Sequence, residues 1–506
     1  MQTQSPIESQ CFAILAAAAS GLLLCCAWPR LDFSMIAWVA LAPLAVGVCQ
    51  AASARTALLA GAVMGTIWSV PLLDWIRTCG SGHRVSVLGP LWLPWIVFLV
   101  GSVALMSLTT LLLFVLRQCL RVSIVLALPL TWVVGEEVRA IGAHYLFGTS
   151  SDFMRLAITQ VPFPLFLQVA DLGGAILIGW IVASISGLLA VTIEQKWIQP
   201  SCTIIPALAA VQVGLAVIYG VYSLQVAPGS GPTIAMLPTM VVHSLQECQS
   251  APKEIVDIDY VVFPEGAIDG VYPLDPEVIE TLSKAKSLFP ASNVIAGVQR
   301  LNPNTAQRFN SVLLAAEVEN SIQFADKRFL TPGFEFTPFA AKLCGIRFGT
   351  ADTLSPGDGP QCLELADGMV VGVGICHDVA FSSWGTDLLT DKEVDFFVTV
   401  GNESLDATGF GQKMLLGCAA LRAVECRRSV VRSVAFGRSV VIDPNGVETK
   451  AIPIESVTGT TTQVPLDSRR SLYPCFGNIL PCGLIFVVSL VAILECRLTR
   501  CRESRT

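Results

Sequence analysis

Charged residues are distributed unevenly along this chain, and that distribution limits the folds it can adopt. They are sparse between residues 12 and 222 and dense between residues 246 and 470. Over the whole chain they make up 14% of residues, against about 25% in a typical soluble protein. Because long uncharged stretches are stable in a bilayer, the sequence predicts a membrane-embedded N-terminal region followed by a soluble region.

The apolar region divides into segments of transmembrane length. A helix that crosses a bilayer needs about 20 mostly apolar residues. We predict seven such helices before the polar region and an eighth after it, over residues 12–28, 33–49, 57–75, 91–116, 122–134, 166–193, 203–222 and 476–494. The fold class is therefore a membrane α-helical bundle of about eight transmembrane helices with an extramembrane domain.

The predicted organisation has three parts. Residues 1–228 form the bundle of about seven helices, residues 229–470 a catalytic domain, and residues 471–506 the last transmembrane helix with a basic tail. That tail carries Arg497, Arg500, Arg502 and Arg505. By the positive-inside rule the tail is cytoplasmic, so the polar domain is expected on the outer side of the membrane.

Short β-rich runs alternate with helix-like segments in the polar region. The runs are "TIAML" at 233, "YVVF" at 260, "NVIAGV" at 293, "SVLLAAEV" at 311, "MVVGVGI" at 369, "DFFVTV" at 395 and "RSVVID" at 438. Helix-like segments include "PEVIETLSKAKSLF" and "GQKMLLGCAALRAVECRR". This alternation predicts an α/β domain with layered sheets.

Composition also argues against two functional classes. The net charge is −7, and no Lys/Arg-rich tract occurs outside the last few residues, so a nucleic-acid partner is not expected. None of the six cysteines in the polar region forms a CxxC pair, so no zinc site is predicted. The sequence predicts no metal and no cofactor.

Three strand ends in the polar region carry reactive side chains. Glu265 lies in "VVFPEGAIDG", Lys327 in "FADKRFLTPGFEFTP" and Cys376 in "VVGVGICHDVAF". Together they offer a base, a cation for developing negative charge and a nucleophile, which suits acyl transfer through a thioester. Residue types alone leave the alternatives open: a solvated turn glutamate, a surface lysine and a core thiol.

These three motifs resemble those of the carbon–nitrogen hydrolase (nitrilase) superfamily. The relevant stretches are "FPEGAI", "DKRFLTPGFEFTP" and "GVGICHDVAF". The multi-span region, with "LAPLAVG", "PLTWVVGEEVRA" and "LQVADLGGAILIGWIVA", resembles the apolipoprotein N-acyltransferase family of that superfamily. The resemblance implies a nitrilase-like α-β-β-α sandwich on the membrane bundle.

The resemblance also implies roles for four residues. Glu265 matches the general base, Lys327 the residue that stabilises the tetrahedral oxyanion, and Cys376 the nucleophile. Glu335 matches a second glutamate that orients the lysine or shuttles a proton.

Three further residues are candidates for a supporting role. His377 and Asp378 follow the cysteine where the family usually has tyrosine and glutamate. Aspartate keeps the carboxylate but is one methylene shorter, and histidine either adds a titratable group or simply packs. Glu425 shares i,i+3 spacing with Arg422 and Arg428, which indicates a structural ion-pair face or a residue that supports the site.

The implied reaction moves an acyl chain from a phospholipid to Cys376 and then to the α-amine of a diacylglyceryl-cysteine. That cysteine is the N-terminal residue of an apolipoprotein, so the expected partners are a phospholipid donor, a diacylglyceryl-modified apolipoprotein acceptor and membrane lipids. The expected location is the outer face of a bacterial inner membrane. Two alternatives remain: a membrane-tethered amidase that uses water, and a catalytically silent lipoprotein-binding relative.

Overall fold

The structure is a computed structural model. It describes residues 6–79, 92–194, 204–237, 258–268, 270–288, 293–315, 322–343, 345, 353–365, 367–406, 408–452, 460–479, 481–483, 485–487 and 490.

The N-terminal region is helical throughout its described length. Its helices are α1 (Pro6–Ala27), α2 (Ala37–Ala40), α3 (Ala42–Gln50), α4 (Ala54–Thr78), α5 (Trp92–Phe114), α6 (Ile124–Gly142), α7 (Pro164–Leu167), α8 (Ala170–Glu194) and α9 (Ile204–Leu224). Short π turns extend α5 (Val115–Cys119) and α6 (Ala143–Phe147), and 3-10 turns cover Ser34–Ile36, Asp152–Met154 and Leu156–Gln160.

Four described helices are long and apolar enough to cross a membrane. They are Ile7–Ala27, Ala54–Thr78, Trp92–Cys119 and Ala170–Ile193. The predicted number of about eight is therefore not confirmed. Eight of the nineteen residues of the eighth predicted segment, 476–494, and all of the basic tail lie outside the described residues.

Two predicted spans have different limits in the structure. The second, 33–49, is divided at Leu41 into α2 and α3, with Pro43 in the first turn of α3. Proline has no backbone N–H to continue the preceding helix, and it is well suited to the first turn of the next one. The fifth, 122–134, is longer than predicted, because α6 does not end before the charged residues Glu136, Glu137 and Arg139 but continues to Gly142.

The polar region contains thirteen described strands. They are β1 (Gly229–Met236), β2 (Tyr260–Val262), β3 (Val271–Tyr272), β4 (Asn293–Leu301), β5 (Arg308–Ala315), β6 (Ile322–Asp326), β7 (Cys362–Glu364), β8 (Val370–Ile375), β9 (Phe396–Asn402), β10 (Val430–Ala435), β11 (Ser439–Ile442), β12 (Glu448–Ile452) and β13 (Thr460–Leu466). The remaining helices are α10 (Pro276–Leu288), α11 (Phe339–Leu343), α12 (Ser382–Asp391), α13 (Phe410–Cys426) and α14 (Tyr473–Phe476).

These strands form two mixed sheets. The first has the order β13-β1-β2-β4-β5-β6, with β3 paired to β4, and the second has the order β12-β11-β10-β9-β8-β7. Neighbouring strands are parallel in the centres, β1-β2-β4 and β8-β9-β10. Parallel strands have their carboxyl ends at one edge, so the loops after β2 and β8 carry Glu265 and Cys376 from the centres of the two sheets.

The layers pack in the order expected for an α-β-β-α sandwich. The inner faces of the two sheets share one core, which includes Val262, Val312 and Val398. Helix α10 covers the first sheet, and α12 and α13 cover the second. Because both faces of each sheet are buried, the central strands are almost continuously apolar.

Helix α13 is the main packing element between the sandwich and the bundle. Ala419 and Ala423 face the second sheet, whereas Met414 and Leu421 belong to the core that includes the bundle helices. From Met414 onward the residues of α13 are buried or half-buried, and its two buried charged residues, Arg422 and Glu425, pair with each other. The site-bearing second sheet is therefore packed through α13 against the bundle.

Candidate active site

Cys376 lies where β8 ends and a 3-10 turn, Cys376–Ala380, begins. Its φ is +51°, a left-handed conformation that costs a non-glycine residue about 1–2 kcal/mol. Gly374 permits close packing just before it, because a Cβ there would lie 2.7 Å from the Trp384 ring. The tight turn presents the thiol at the end of the strand, at the margin of the core between the sheets.

The ammonium group of Lys327 lies between two carboxylates. Its Nζ is 2.8 Å from Glu335 Oε2 and 3.9 Å from Glu265 Oε1, and it donates to Thr331 Oγ1 at 3.0 Å. The lysine is 1% exposed, so these contacts replace water. The structure thus brings together two of the three predicted catalytic residues and the predicted second glutamate.

Asn310 links the two carboxylates, and sequence analysis did not single it out. Its Nδ2 donates to Glu265 Oε1 at 2.7 Å and to Glu335 Oε1 at 2.8 Å. Its backbone carbonyl accepts from the Lys327 N–H at 2.8 Å. The sequence marks Asn310 only as the residue directly before the β-rich run that begins at 311, since its contacts depend on the pairing of β5 with its neighbours.

Glu265 reaches the site because the backbone of β4 allows a close approach. A Cβ on Gly297 would lie 2.6 Å from Glu265 Cα, so a larger residue there would displace the turn that carries the glutamate. Glu265 Oε1 accepts from Asn310, while Oε2 is buried with no side-chain hydrogen-bond partner among the described residues. That oxygen is free to accept a proton.

Burial and neighbouring charges set the protonation states of the trio. Burial raises the pKa of Glu265, although the Lys327 ammonium opposes the increase. Burial and the Glu265 carboxylate raise the pKa of the Cys376 thiol well above its usual range, again against the effect of Lys327. The cysteine therefore rests as a thiol and needs a base at the moment of attack.

The lysine and its partner glutamate are held as an ion pair. Burial alone would lower the pKa of Lys327, but the Glu335 and Glu265 carboxylates raise it above the usual value. Burial would raise the pKa of Glu335, but Lys327 and its hydrogen bonds lower it. A permanent positive charge is therefore available for an oxyanion.

Asp378 connects the 3-10 turn that begins at Cys376 to the loop that carries Lys327 and Glu335, residues 327–338, which we call the lysine loop. Its Oδ1 accepts from the Phe329 N–H at 2.7 Å and its Oδ2 from the Ile375 N–H at 2.9 Å. Burial raises its pKa to about 6. This aspartate lies beside the trio and fixes the relative position of Lys327 and Cys376, so its location fits a supporting role.

His377 faces the N-terminal region. Its Nε2 lies 3.0 Å from Thr149 Oγ1, and its ring makes an edge contact with Phe381 at 5.1 Å between centroids. Burial, together with the nearby Lys327 ammonium, lowers the pKa of His377 to about 4. The imidazole is therefore neutral at physiological pH.

Glu425 is not part of this cluster. It is fully buried on α13, with Oε2 2.9 Å from Arg422 Nε, and it accepts from the Ala175 N–H at 3.2 Å. Arg428 instead donates to backbone carbonyls, including that of Asp467 at 3.1 Å, so the predicted three-residue ion-pair face is reduced to one pair. The contacts of Glu425 are made at the junction with α8, and of its two predicted roles they show the ion pair.

Two cavities meet at Cys376. One, of about 300 Å³, is mostly apolar and is lined by residues from α4, α5 and α13, among them Trp75, Val97, Phe98 and Leu415. The other, of about 520 Å³, is more polar and contains Glu265, Lys327 and Glu335. Residues lining both are Thr331, Phe334, Cys376, Asn402 and Leu405.

The arrangement of the two cavities suits a substrate with an apolar chain and a polar end. A chain can lie in the first cavity while the bond to be broken lies at Cys376, beside the base and the ammonium. Among the described residues no group of His, Cys, Asp and Glu has the geometry to hold a metal ion. The chemistry that these side chains offer is nucleophilic acyl transfer.

Fold and site together define a class of protein: a membrane-associated protein with a candidate Glu/Lys/Cys site on an α-β-β-α sandwich. A family model described as the apolipoprotein N-acyltransferase N-terminal domain matches residues 20–188. The apolipoprotein N-acyltransferase of Geobacter metallireducens is 24% identical over 96% of this chain and 95% of its own length. That of Coxiella burnetii is 27% identical over 73% of this chain and 77% of its own.

Two similar solved structures each cover about half of the chain. Nit3 of Saccharomyces cerevisiae, a nitrilase superfamily member, matches 47% of this chain and 91% of its own, with 18% identity and a TM-score of 0.37. XC1258 of Xanthomonas campestris, a CN-hydrolase superfamily protein, has the same coverages with 19% identity and a TM-score of 0.34. The chain is similar to apolipoprotein N-acyltransferases, to the family model in its N-terminal region and to a curated relative over nearly its full length, which confirms the resemblance predicted from the sequence.

Proposed function

We propose that this chain is a phospholipid:apolipoprotein N-acyltransferase that works through a thioester on Cys376. Its relatives support lipoprotein N-acylation as the reaction class. The observation that carries the mechanistic proposal is the position of Cys376 at the junction of an apolar and a polar cavity. An acyl-transfer nucleophile needs both a place for the chain and polar groups for the charge.

In the first half-reaction the Cys376 sulfur attacks the ester carbonyl of a phospholipid. The thiol proton passes to Glu265, and the Lys327 ammonium stabilises the tetrahedral oxyanion. When the intermediate collapses, the carbon–oxygen bond to the glycerol breaks and Glu265 returns the proton to the departing oxygen. The products are a Cys376 thioester and a lysophospholipid.

In the second half-reaction a neutral α-amine attacks the thioester carbonyl. Glu265 accepts the proton released by nitrogen, the carbon–sulfur bond breaks, and the proton goes to the Cys376 sulfur. The amine belongs to the N-terminal diacylglyceryl-cysteine of an apolipoprotein. Glu335 and Asn310 keep Lys327 and Glu265 in place through both steps.

Both substrates are held in the membrane by acyl chains, so an active site attached to apolar helices lies where both substrates are. We place the sandwich on the outer side of the bacterial inner membrane, following the basic tail. The walls contributed by α4 and α5 support a route for the chain from the bilayer, since Trp75, Val97 and Phe98 lie on apolar helices of membrane-spanning length. A site at the surface avoids transferring either lipid through water.

The test is a two-stage assay with purified protein. The protein is first incubated with a phospholipid labelled in its acyl chain and then with a peptide that begins with diacylglyceryl-cysteine. We expect label on the protein that passes to the peptide amine. Label released only as free fatty acid would indicate an amidase-like hydrolase, and absence of any covalent label would indicate a catalytically silent relative.

A further inference from the structure

Arg308 is the fourth charged residue that lines the polar cavity, after Glu265, Lys327 and Glu335. The first three neutralise one another in part through the contacts around Lys327. Arg308 is exposed, and its guanidinium makes no ion pair or hydrogen bond within the described part of the chain. Its side chain is thus a cation of the polar cavity that no described residue neutralises.

The strand geometry directs Arg308 toward the site. It is the first residue of β5, and Asn310, which bridges the two glutamates, is two positions further on. Side chains two apart on a strand lie on the same face of the sheet. Asn310 is paired with Gln299 on β4, and Gln299 also lines the polar cavity, so this face of the β4-β5 pair forms a polar wall.

The backbone at Arg308 is held firmly although the side chain is exposed. Arg308 is in register with Leu301 across the strand pair, and its carbonyl accepts from the Ser355 N–H at 2.7 Å. The guanidinium is therefore presented from a fixed point at the cavity wall. Guanidinium groups bind phosphate oxygens in a planar, two-pronged geometry.

We propose that Arg308 binds the phosphodiester of the acyl donor and so selects a phospholipid over an uncharged ester. This rests on the function proposed above. A donor molecule with its chain in the apolar cavity and its ester at Cys376 extends its remaining polar part into the cavity that Arg308 lines. Phosphate binding there also holds the leaving lysophospholipid in line with Glu265 while the proton returns.

The test compares two donors in the first half-reaction. Thioester formation on Cys376 is measured with phosphatidylglycerol in mixed micelles and with p-nitrophenyl palmitate, an acyl ester without phosphate. We expect R308A to slow acylation by phosphatidylglycerol about 10- to 100-fold, the range of one charge-assisted hydrogen bond, and to leave the rate with the uncharged donor within about twofold of the wild type. R308K, which keeps the charge but not the planar fork, should fall between the wild type and R308A.

The control is R438A, because Arg438 is an exposed arginine of the same domain that pairs with Glu448 away from both cavities. It should leave both rates unchanged. The proposal would be overturned if R308A slowed acylation by both donors equally, or slowed acylation by neither. Slowing of only the second half-reaction, measured with pre-acylated enzyme, would assign Arg308 to the acceptor and overturn it too. Absence of acylation in the wild type with either donor would instead reject the proposed function.

Discussion

At the scale of single residues, Asn310 holds the two glutamates of the site in a common arrangement. One amide group donates to both carboxylates, so each glutamate keeps one oxygen in a fixed position. An unpaired buried carboxylate oxygen costs about 1–3 kcal/mol, more than the hydrogen bond contributes on balance. Asn310 is therefore a positioning residue for the base and for the partner of Lys327.

Replacing Asn310 with leucine should lower the rate of Cys376 acylation about 10- to 100-fold, because both carboxylates lose a donor and Glu265 becomes harder to ionise. The rate is measured by single-turnover labelling. Asn304, an exposed residue in the loop between β4 and β5, provides the control, and N304L should match the wild type. A rate for N310L within twofold of the wild type would contradict the assigned role.

The pH dependence of acylation follows from the raised pKa of Glu265. Burial favours the protonated carboxyl, which is unable to accept the thiol proton, so the rate should rise with pH through the Glu265 pKa and fall as pH drops below it. His377, whose pKa is lowered to about 4, keeps one charge state above about pH 5. H377Q should therefore leave the position of this acidic limb unchanged, and a limb that moved or vanished in H377Q would reassign it to the histidine.

At the scale of elements, the segment after α6 connects the N-terminal region to the site. Gly148 adopts a φ of +64° beside Phe336 of the lysine loop, Thr149 contacts His377, and Ser150 Oγ donates to the Ala380 carbonyl at 2.6 Å. This segment therefore contacts both the lysine loop and the turn that begins at Cys376. Its conformation should therefore influence the distance between Lys327 and Cys376.

Replacing Gly148 with alanine should lower acylation and make the lysine loop more susceptible to proteolysis. A Cβ there would lie 2.3 Å from Phe336 Cζ, and the left-handed φ costs alanine about 1–2 kcal/mol. G142A is the matched control, because Gly142 is helical and a Cβ there would meet nothing within 4 Å. The account would be contradicted if G148A kept wild-type activity and resistance to protease.

Whether a strand can be predicted from the sequence depends on its position in the sheet. The apolar runs at β1, β2, β4, β5, β8, β9 and β11 were all marked as strands, and each is a strand in the structure. The four edge strands, β6, β7, β12 and β13, were missed because an edge strand is paired on one side only and carries polar residues. Strand β10 was missed because Arg432 interrupts its apolar run, although the arginine is buried in an ion pair with Glu403.

The residues of the candidate site were also only partly predictable from the sequence. Glu265 and Cys376 are visible in the sequence because each follows an apolar run, and Lys327 is visible because its loop is bounded by proline and glycine. Asn310 and Arg308 depend on strand register and on which face of β5 meets the cavity, and no local pattern marks them. For Glu425 the sequence leaves two interpretations, an ion-pair face and a residue that supports the site; the structure shows the ion pair with Arg422, at the junction with α8.

At the scale of the whole molecule, buried ion pairs join the sandwich to the bundle. Arg427, at the end of α13, donates to Asp171 at 2.6 Å, to Gln168 at 2.6 Å and to Ser223 at 2.9 Å. The arginine side chain is fully buried. Buried charges of this kind are costly to leave without a partner, so the network favours one orientation of the two parts.

R427M should lower the free energy of unfolding by about 3–5 kcal/mol, because it leaves Asp171 buried with an uncompensated charge. Unfolding by denaturant in detergent micelles measures the change. R470M is the control, since Arg470 is 88% exposed and lies 3.6 Å from an exposed Glu393, and it should change stability by less than about 0.5 kcal/mol. Equal stability of R427M and R470M would rule out a stabilising role for this junction.

The proposed thioester forms on Cys376, one of the 17 cysteines of the chain. The most direct measurement is mass spectrometry of the protein after incubation with a phospholipid, followed by peptide mapping of a hydroxylamine-sensitive adduct. We predict one acyl chain per protein, attached to Cys376, and none in C376A. An adduct on another cysteine, or full transfer activity in C376A, would contradict the account.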